Sequence, residues 1–210
     1  MPFCVGLTGG IASGKSSAAA LFQELGAAIV DTDAIAHELT RPGAAAMAGI
    51  RSAFGPVFVA ADGSLERAKM RHLVFNDPDA KARLEGILHP LIRERARARI
   101  IAAQQPYVIV VVPLLIETGA YRDLIQRVVV VDCNEELQVA RAMQRSQLEE
   151  REVRAILAAQ LPRAERLKRA DDVIDNSGDI EALRRQIEKL HARYLTLAKT
   201  AVHKRKSTPE

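Results

Sequence analysis

The sequence predicts an α/β fold: a five-stranded parallel sheet between layers of helices, with an inserted helical lobe and a lid. Three observations predict it. Five short apolar runs, residues 3–8, 27–31, 107–112, 127–132 and 172–175, are continuous rather than alternating, as strands buried on both faces are. Between them lie segments with apolar residues three and four apart, the mark of amphipathic helices. The second and third runs are separated by about seventy-five residues, where a minimal crossover needs a dozen or so.

Taken in order, residues 15–25 are Ala-rich and stop at Gly26, a suitable C-terminal cap. Residues 134–146, 149–161 and 180–197 carry helical periodicity. Strands alternating with such helices fold into right-handed βαβ units with both sheet faces covered. The long interval holds helical patterns at 65–74 and 79–103, the second closed by Pro106. It reads as a helical lobe at about 61–104 that holds an acceptor molecule. A second irregular stretch, about 141–165, reads as a lid. Both belong to one domain spanning 1–198. Residues 199–210, with His203-Lys204-Arg205-Lys206, read as a basic, frayed tail. No internal repeat is present.

Composition narrows the function. The 210 residues are 48% apolar and 27% charged, an ordinary globular balance. Aromatics make up only 4% and Trp is absent, which weakens any reading based on stacking nucleic-acid bases. The net charge of +4 favours acidic partners, and a phosphorylated small molecule suits the clustered arginines as well as nucleic acid does. Cys4 and Cys133 are far apart with no metal-like spacing; Cys4, inside an apolar run, reads as a buried reduced thiol. Met1 leads straight into the first strand pattern, and no apolar stretch approaches the roughly 20 residues of a membrane helix. The expectation is a cytoplasmic protein.

The chemistry begins at Gly9-Gly10-Ile11-Ala12-Ser13-Gly14-Lys15-Ser16, directly after an apolar strand and opening a helix. That is the context a P-loop requires. Its glycines let successive N–H groups face a β-phosphate, and Lys15 adds a point charge for the β- and γ-phosphates. The Ser16 hydroxyl is placed to ligate Mg²⁺, with Ser13 and Ser17 as further hydroxyl contacts. Together they imply ATP binding and phosphoryl transfer.

Asp31-Thr32-Asp33 follows the second strand, and ligands gather at the carboxyl ends of strands in open α/β sheets. Asp33 reads either as the group that orients an acceptor hydroxyl and takes its proton or as the N-cap ahead of Ala34-Ile35-Ala36; one residue can do both. Arg141 and Arg145, four apart, share a helical face from which a lid can neutralise charge on the transferred group. The later arginines, Arg151, Arg154, Arg163, Arg166 and Arg169, read as a solvated basic face. His89-Pro90-Leu91-Ile92-Arg93 places His89 and Arg93 on the inserted lobe, as acceptor contacts or as structural residues. Pro113-Leu114-Leu115-Ile116-Glu117 follows the third strand and lines the cleft, with Leu115 in packing or binding duty. Asp132 reads as the cap of the next helix. Asp175-Asn176-Ser177-Gly178 reads as a turn that brings Asn176 to the border of the adenine.

In order along the chain, these segments resemble the dephospho-coenzyme A kinase family. The marks are Leu7-Thr8-Gly9-Gly10-Ile11 running into Ser13-Gly14-Lys15-Ser16, then Asp31-Thr32-Asp33-Ala34-Ile35-Ala36, His89 to Arg93, Pro113 to Glu117, Arg141 with Arg145, and Ala170 to Asn176. The likeness covers residues 5–191. It implies a P-loop nucleoside-kinase-like three-layer fold and transfer of the ATP γ-phosphoryl to the ribose 3′-hydroxyl of dephospho-coenzyme A. It favours Asp33 as base and Arg141 as a closing-lid arginine, beside Lys15 in catalysis. It assigns residues 9–17, Arg145 and Asn176 to ATP, and Ser16 to Mg²⁺. It assigns Thr8, Asp33, His89, Arg93 and Leu115 to the acceptor. The expected partners are the small molecules ATP and dephospho-coenzyme A, without nucleic acid or membrane; the sequence does not give the oligomeric state, and a monomer is favoured. Two positions depart from the family pattern. Ala12 stands where a glycine is usual, which matters if that backbone takes a positive φ. Ser17 stands for threonine and keeps the hydroxyl.

Two rivals share part of this evidence. Another small-molecule P-loop kinase would differ only in its acceptor lobe. A GTPase-type switch would need a guanine-reading Asn-Lys-x-Asp segment, which Asp175-Asn176-Ser177-Gly178 is not. A nucleic-acid-binding module rests on charge alone.

Overall fold

A computed structural model describes residues 1–146 and 148–206. Five strands form one parallel sheet: β1 (Phe3–Gly9), β2 (Ala28–Asp31), β3 (Tyr107–Val111), β4 (Arg127–Asp132) and β5 (Asp172–Asp175), in the order β2-β3-β1-β4-β5. β1 is central and buried throughout. It runs parallel to β3, from Phe3 opposite Tyr107 to Leu7 opposite Val111, and to β4, from Val5 opposite Arg127 to Gly9 opposite Val131. β5 extends the sheet with Asp172 opposite Val129. Gly6 permits close cover: a Cβ there would stand 2.4 Å from Leu115 Cδ2.

The chain divides into two compact units, residues 1–30 with 100–210 and residues 31–99. In the first, α1 (Lys15–Glu24) packs beside α10 (Ile180–Lys206), and their apolar faces close the core with Phe22, Leu183, Ile187 and Tyr194. α6 (Leu115–Thr118), α7 (Glu135–Ser146), α8 (Glu150–Ala158) and α9 (Arg163–Lys168) follow β3 and β4. A smaller cluster of Val139, Ala142 and Val153 gathers Ile11, Ala12, Leu148 and Leu157, so α7 and α8 pack directly on the glycine loop.

The second unit holds α2 (Thr32–Leu39), α3 (Ala45–Phe54), a short 3-10 turn (Pro56–Phe58), α4 (Arg67–Asn76) and α5 (Pro78–Ala102), the last helix running to the unit's end. It begins at Asp31, well before the expected 61, because α2, α3 and the short turn pack in series with α4. An Arg67 N–H to Thr40 Oγ1 at 2.7 Å and an Arg99–Glu38 ion pair at 2.5 Å hold α4 and α5 to α2. Pro90 sits inside α5 and leaves one carbonyl of the preceding turn without its helical N–H.

The tail is corrected in part. The helix expected to end at 197 continues to Lys206; residues 207–210 lie outside the described residues. No helix among the described residues is long and apolar enough to cross a membrane.

Candidate active site

The loop between β1 and α1 is shaped by what its backbone must pass. A Cβ on Gly9 would stand 2.4 Å from the Val131 carbonyl, and one on Gly14 2.0 Å from Asn176 Nδ2. Gly14 has φ 98 and caps α1 without a side-chain hydrogen bond. The first N–H groups of a helix have no intrahelical partner. Those of Lys15, Ser16 and Ser17 therefore present a positive helix end with no acidic residue in its first turn. Ala12 adopts φ 52, so the condition attached to that position is met: an alanine occupies a conformation that suits glycine.

A cleft of about 480 Å³ opens at this helix end. Its lining includes Ala12, Ser13, Gly14, Lys15, Ser16 and Ser17 on one side, and Arg141, Arg145, Asn176 and Ile180 on the other. Lys15 Nζ donates to the carbonyls of Gly9 at 2.9 Å and Gly10 at 2.8 Å, so its charge is folded back on the start of the loop. Asn176 is buried. Its backbone N–H donates to Asp132 O at 2.7 Å, its Nδ2 to Ser13 O at 2.7 Å, and its own carbonyl accepts from Arg141 Nη1 at 3.0 Å. One residue after β5 thus fixes both the P-loop and Arg141. Burial pushes the Cys133 thiol up from its ordinary value, against the opposing charge of Arg141 3.9 Å away.

The remaining sequence candidates fall in both units. Thr8 is buried and donates through Oγ1 to Pro113 O at 3.0 Å; Leu115 is buried beside Gly6. In the second unit Asp33 is exposed in the first turn of α2, and His89 and Arg93 are exposed on α5. The cap of α2 is Asp31, whose Oδ1 accepts from the N–H groups of Asp33 at 2.8 Å and Ala34 at 3.2 Å. The capping alternative for Asp33 is thereby corrected.

Two further expectations change. Asp132 is no cap: its carboxylate takes Arg163 at Nε and Nη2, the shortest contact 2.6 Å. The cap of α7 is Asn134, whose Oδ1 accepts from Leu137 N at 2.8 Å. Nor do all the later arginines form a solvated face. Arg151, Arg154 and Arg169 are exposed, but Arg163 is ion-paired and Arg166 is buried at 4% exposure. Sequence reasoning also missed Gln160, whose Oε1 accepts from Ile11 N at 3.2 Å, and Glu117, whose Oε1 accepts from Leu161 N at 3.3 Å. Glu117 stood in a motif that pointed at the cleft; nothing in the sequence marks Gln160.

A β-strand, a glycine loop with its lysine, an open helix end and a facing arginine helix on a parallel sheet define a P-loop phosphotransferase of the small-molecule kinase class. The model of the dephospho-CoA kinase family matches residues 3–182. A dephospho-CoA kinase of Nitrosospira multiformis is 56% identical over 194 residues, covering 92% of this chain and 97% of its own. The solved structure of TT1252 from Thermus thermophilus superposes with a TM-score of 0.79 at 34% identity, over 91% of this chain and 97% of that one. A dephospho-CoA kinase from Campylobacter jejuni superposes at 0.64 and 30% identity, over 89% and 94%. The chain belongs to the dephospho-CoA kinase family.

Proposed function

We propose a division of labour for this chain's reaction, the ATP-dependent transfer of a γ-phosphoryl group to the ribose 3′-hydroxyl of dephospho-coenzyme A that completes coenzyme A. The observation that carries it is the positive end of α1 beneath Gly14, with no acidic residue in its first turn and with Lys15, Ser16 and the arginines of α7 lining one cleft. The N–H groups of residues 13–17 receive the β-phosphate. Lys15 exchanges the carbonyls of Gly9 and Gly10 for phosphate oxygens, keeping its hydrogen-bond count while gaining a charged partner. Arg141 and Arg145 meet the phosphoryl group from α7 as residues 141–165 close, and Asn176 holds the loop beside the adenine. Thr8, His89, Arg93 and Leu115 are assigned to the acceptor. Asp33 takes the proton of its 3′-hydroxyl.

The donor set suits Mg²⁺. Ser16 offers a hard, exposed hydroxyl oxygen next to Lys15, and no group of three His, Cys, Asp or Glu among the described residues forms a cage of its own. That fits an ion carried largely by phosphates. When bound, Mg²⁺ neutralises β- and γ-phosphate oxygens. We place the reaction in the cytoplasm and take a monomer as the working unit, which sedimentation of the purified chain tests.

The deciding experiment is an acceptor panel with ATP and Mg²⁺ and detection of the phosphorylated product. Dephospho-coenzyme A should be turned over well above nucleosides, nucleotides and shikimate. Better turnover of any other acceptor would overturn the assignment.

A further inference from the structure

Three buried side-chain atoms among the described residues have no hydrogen-bond partner: Ser13 Oγ, Glu117 Oε2 and Gln138 Oε1. Ser13 and Gln138 lie against Gly9 and Gly10 of the P-loop, and Glu117 faces Arg166, which reaches Gly10. A Cβ on Gly9 would stand 2.6 Å from Ser13 Oγ; one on Gly10 would stand 2.5 Å from Gln138 Oε1 and 3.1 Å from Arg166 Nη2. The Arg166 side chain is 5% exposed, and its ionic partner among the described residues is Glu117 Oε1 at 3.9 Å, beyond hydrogen-bond reach. One helical turn earlier, Arg163 grips Asp132 with a fork of short bonds. The same helix therefore carries one guanidinium that is satisfied and one that is buried and nearly unmet. Burying a charge without close partners is costly, and an anion arriving at Gly10 would remove that cost.

The anion that arrives there follows from Lys15, whose ammonium lies against the Gly9 and Gly10 carbonyls. The nucleotide cleft borders residues 12–17, so a phosphate chain running from it along Lys15 ends at Gly10. We propose that Arg166 is a further catalytic residue, whose guanidinium binds the terminal phosphoryl oxygens of ATP. This rests on the kinase reading above. In the transfer the bond from phosphorus to the β,γ-bridging oxygen breaks, a bond to the acceptor oxygen forms, and the hydroxyl proton passes to Asp33. Arg166 exchanges no atoms and holds the equatorial oxygens throughout. Glu117 keeps the guanidinium in place until the nucleotide binds.

The test compares ATP with ADP by calorimetry, with Mg²⁺ and without acceptor. Arg166→Met with Glu117→Gln removes both charges together, so no lone buried carboxylate is left behind. In this double variant the preference for ATP over ADP should fall by roughly 10- to 100-fold, the range for a hydrogen bond to a charged group, while ADP affinity stays within about threefold because the β-phosphate site is untouched. Arg166→Lys keeps the charge and loses the fork, so its preference should fall by about threefold or more. A strut that merely props Gly10 would weaken ATP and ADP equally. Equal weakening, or an unchanged ratio in either folded variant, overturns the proposal. Failure of the wild-type chain to bind ATP would instead overturn the kinase reading.

Discussion

The two ends of the β-sheet treat buried charge in opposite ways. At the amino ends of β4 and β5, the buried Asp172 carboxylate accepts from Arg127 Nε, from Arg193 Nη1 at 2.7 Å and from Tyr194 Oη at 2.9 Å. Tyr194 stacks on Phe22 and meets Tyr107 edge-on, and Tyr107 Oη lies 2.8 Å from His191 Nδ1. Burial raises the Asp172 carboxyl, but the bonds and charges of Arg127, Tyr194 and Arg193 outweigh it and leave it below the ordinary value. At the carboxyl ends, beside β1, Ser13 Oγ, Glu117 Oε2 and Gln138 Oε1 are buried without a hydrogen-bond partner, and the buried Arg166 reaches Glu117 only at 3.9 Å. One end is satisfied without a ligand; the other keeps donors and acceptors in reserve for one.

Variants at the carboxyl end should disturb chemistry and spare the fold. The largest effect is expected for Asp33→Asn. With Asp31 as the cap, stability should hold, while kcat falls by roughly 10²- to 10⁴-fold, the range for removal of a general base. A folded Asp33→Asn enzyme turning over within about threefold of wild type would shift attention to Asp31.

The amino end should behave in reverse. Asp172→Ala strands Arg127 and Tyr194 in a buried setting. Removing one partner of a buried pair costs about 3–5 kcal/mol, or roughly 6–20 °C in Tm for a chain of this size. Turnover per folded molecule should not change. A kcat loss without a Tm loss would break the contrast between the ends.

Arg141→Ala belongs to the carboxyl end again. It should lower kcat by roughly 10²-fold, as loss of a preorganised donor does, with a smaller change in ATP affinity. A change confined to KM would make Arg141 a ground-state contact.

Acid should loosen the amino end in two stages. Burial lowers the His191 pKa, so the unfolded chain takes up that proton first, and stability falls as pH drops below about 6.5. Asp172, with its pKa lowered, contributes stability above the unfolded value of about 3.9 and loses it as pH falls through the folded one. Thermal melts across pH should show both, and His191→Gln should flatten the upper stage alone.

The smallest effect is expected at Ala12. Replacing it with glycine relieves about 1–2 kcal/mol of left-handed strain and loosens the unfolded chain by about 0.4–1 kcal/mol. The net gain should be under about 1.5 kcal/mol in denaturant melts, and a net loss would mean that the loop tolerates φ 52 without strain.

The sheet was legible because a strand covered on both faces is a continuous apolar run: β4 and β5 fall at the expected residues and the other strands within one. Helices with long amphipathic stripes were legible too. α3 was not, since its cap is Ala44, which offers no side-chain acceptor to mark the helix start; α6 and α9 are too short to show a period. The P-loop could be read whole because its chemistry is local. Asp132 with Arg163, Ser13 with Asn176, and Ile11 with Gln160 could not, since each joins residues distant in sequence. Arg166 was read as solvated because arginine usually is, and only the packing of α9 against Gly10 reverses that.

The bond from Asn176 to the Ser13 carbonyl spans 163 residues, and it sets a schedule for synthesis. β1 leaves the ribosome first, yet its neighbours β3 and β4 and the residue that braces its loop come from the second half of the chain. At elongation rates of roughly 5–20 residues per second the glycine loop waits roughly 10–30 s for its brace. A nascent chain should therefore have no use for ATP until its last strand has emerged, and nucleotide cannot assist the early stages of its folding. Ribosome-stalled chains ending before Asp172 should not be retained on an ATP resin, while chains extended past Tyr194 should be.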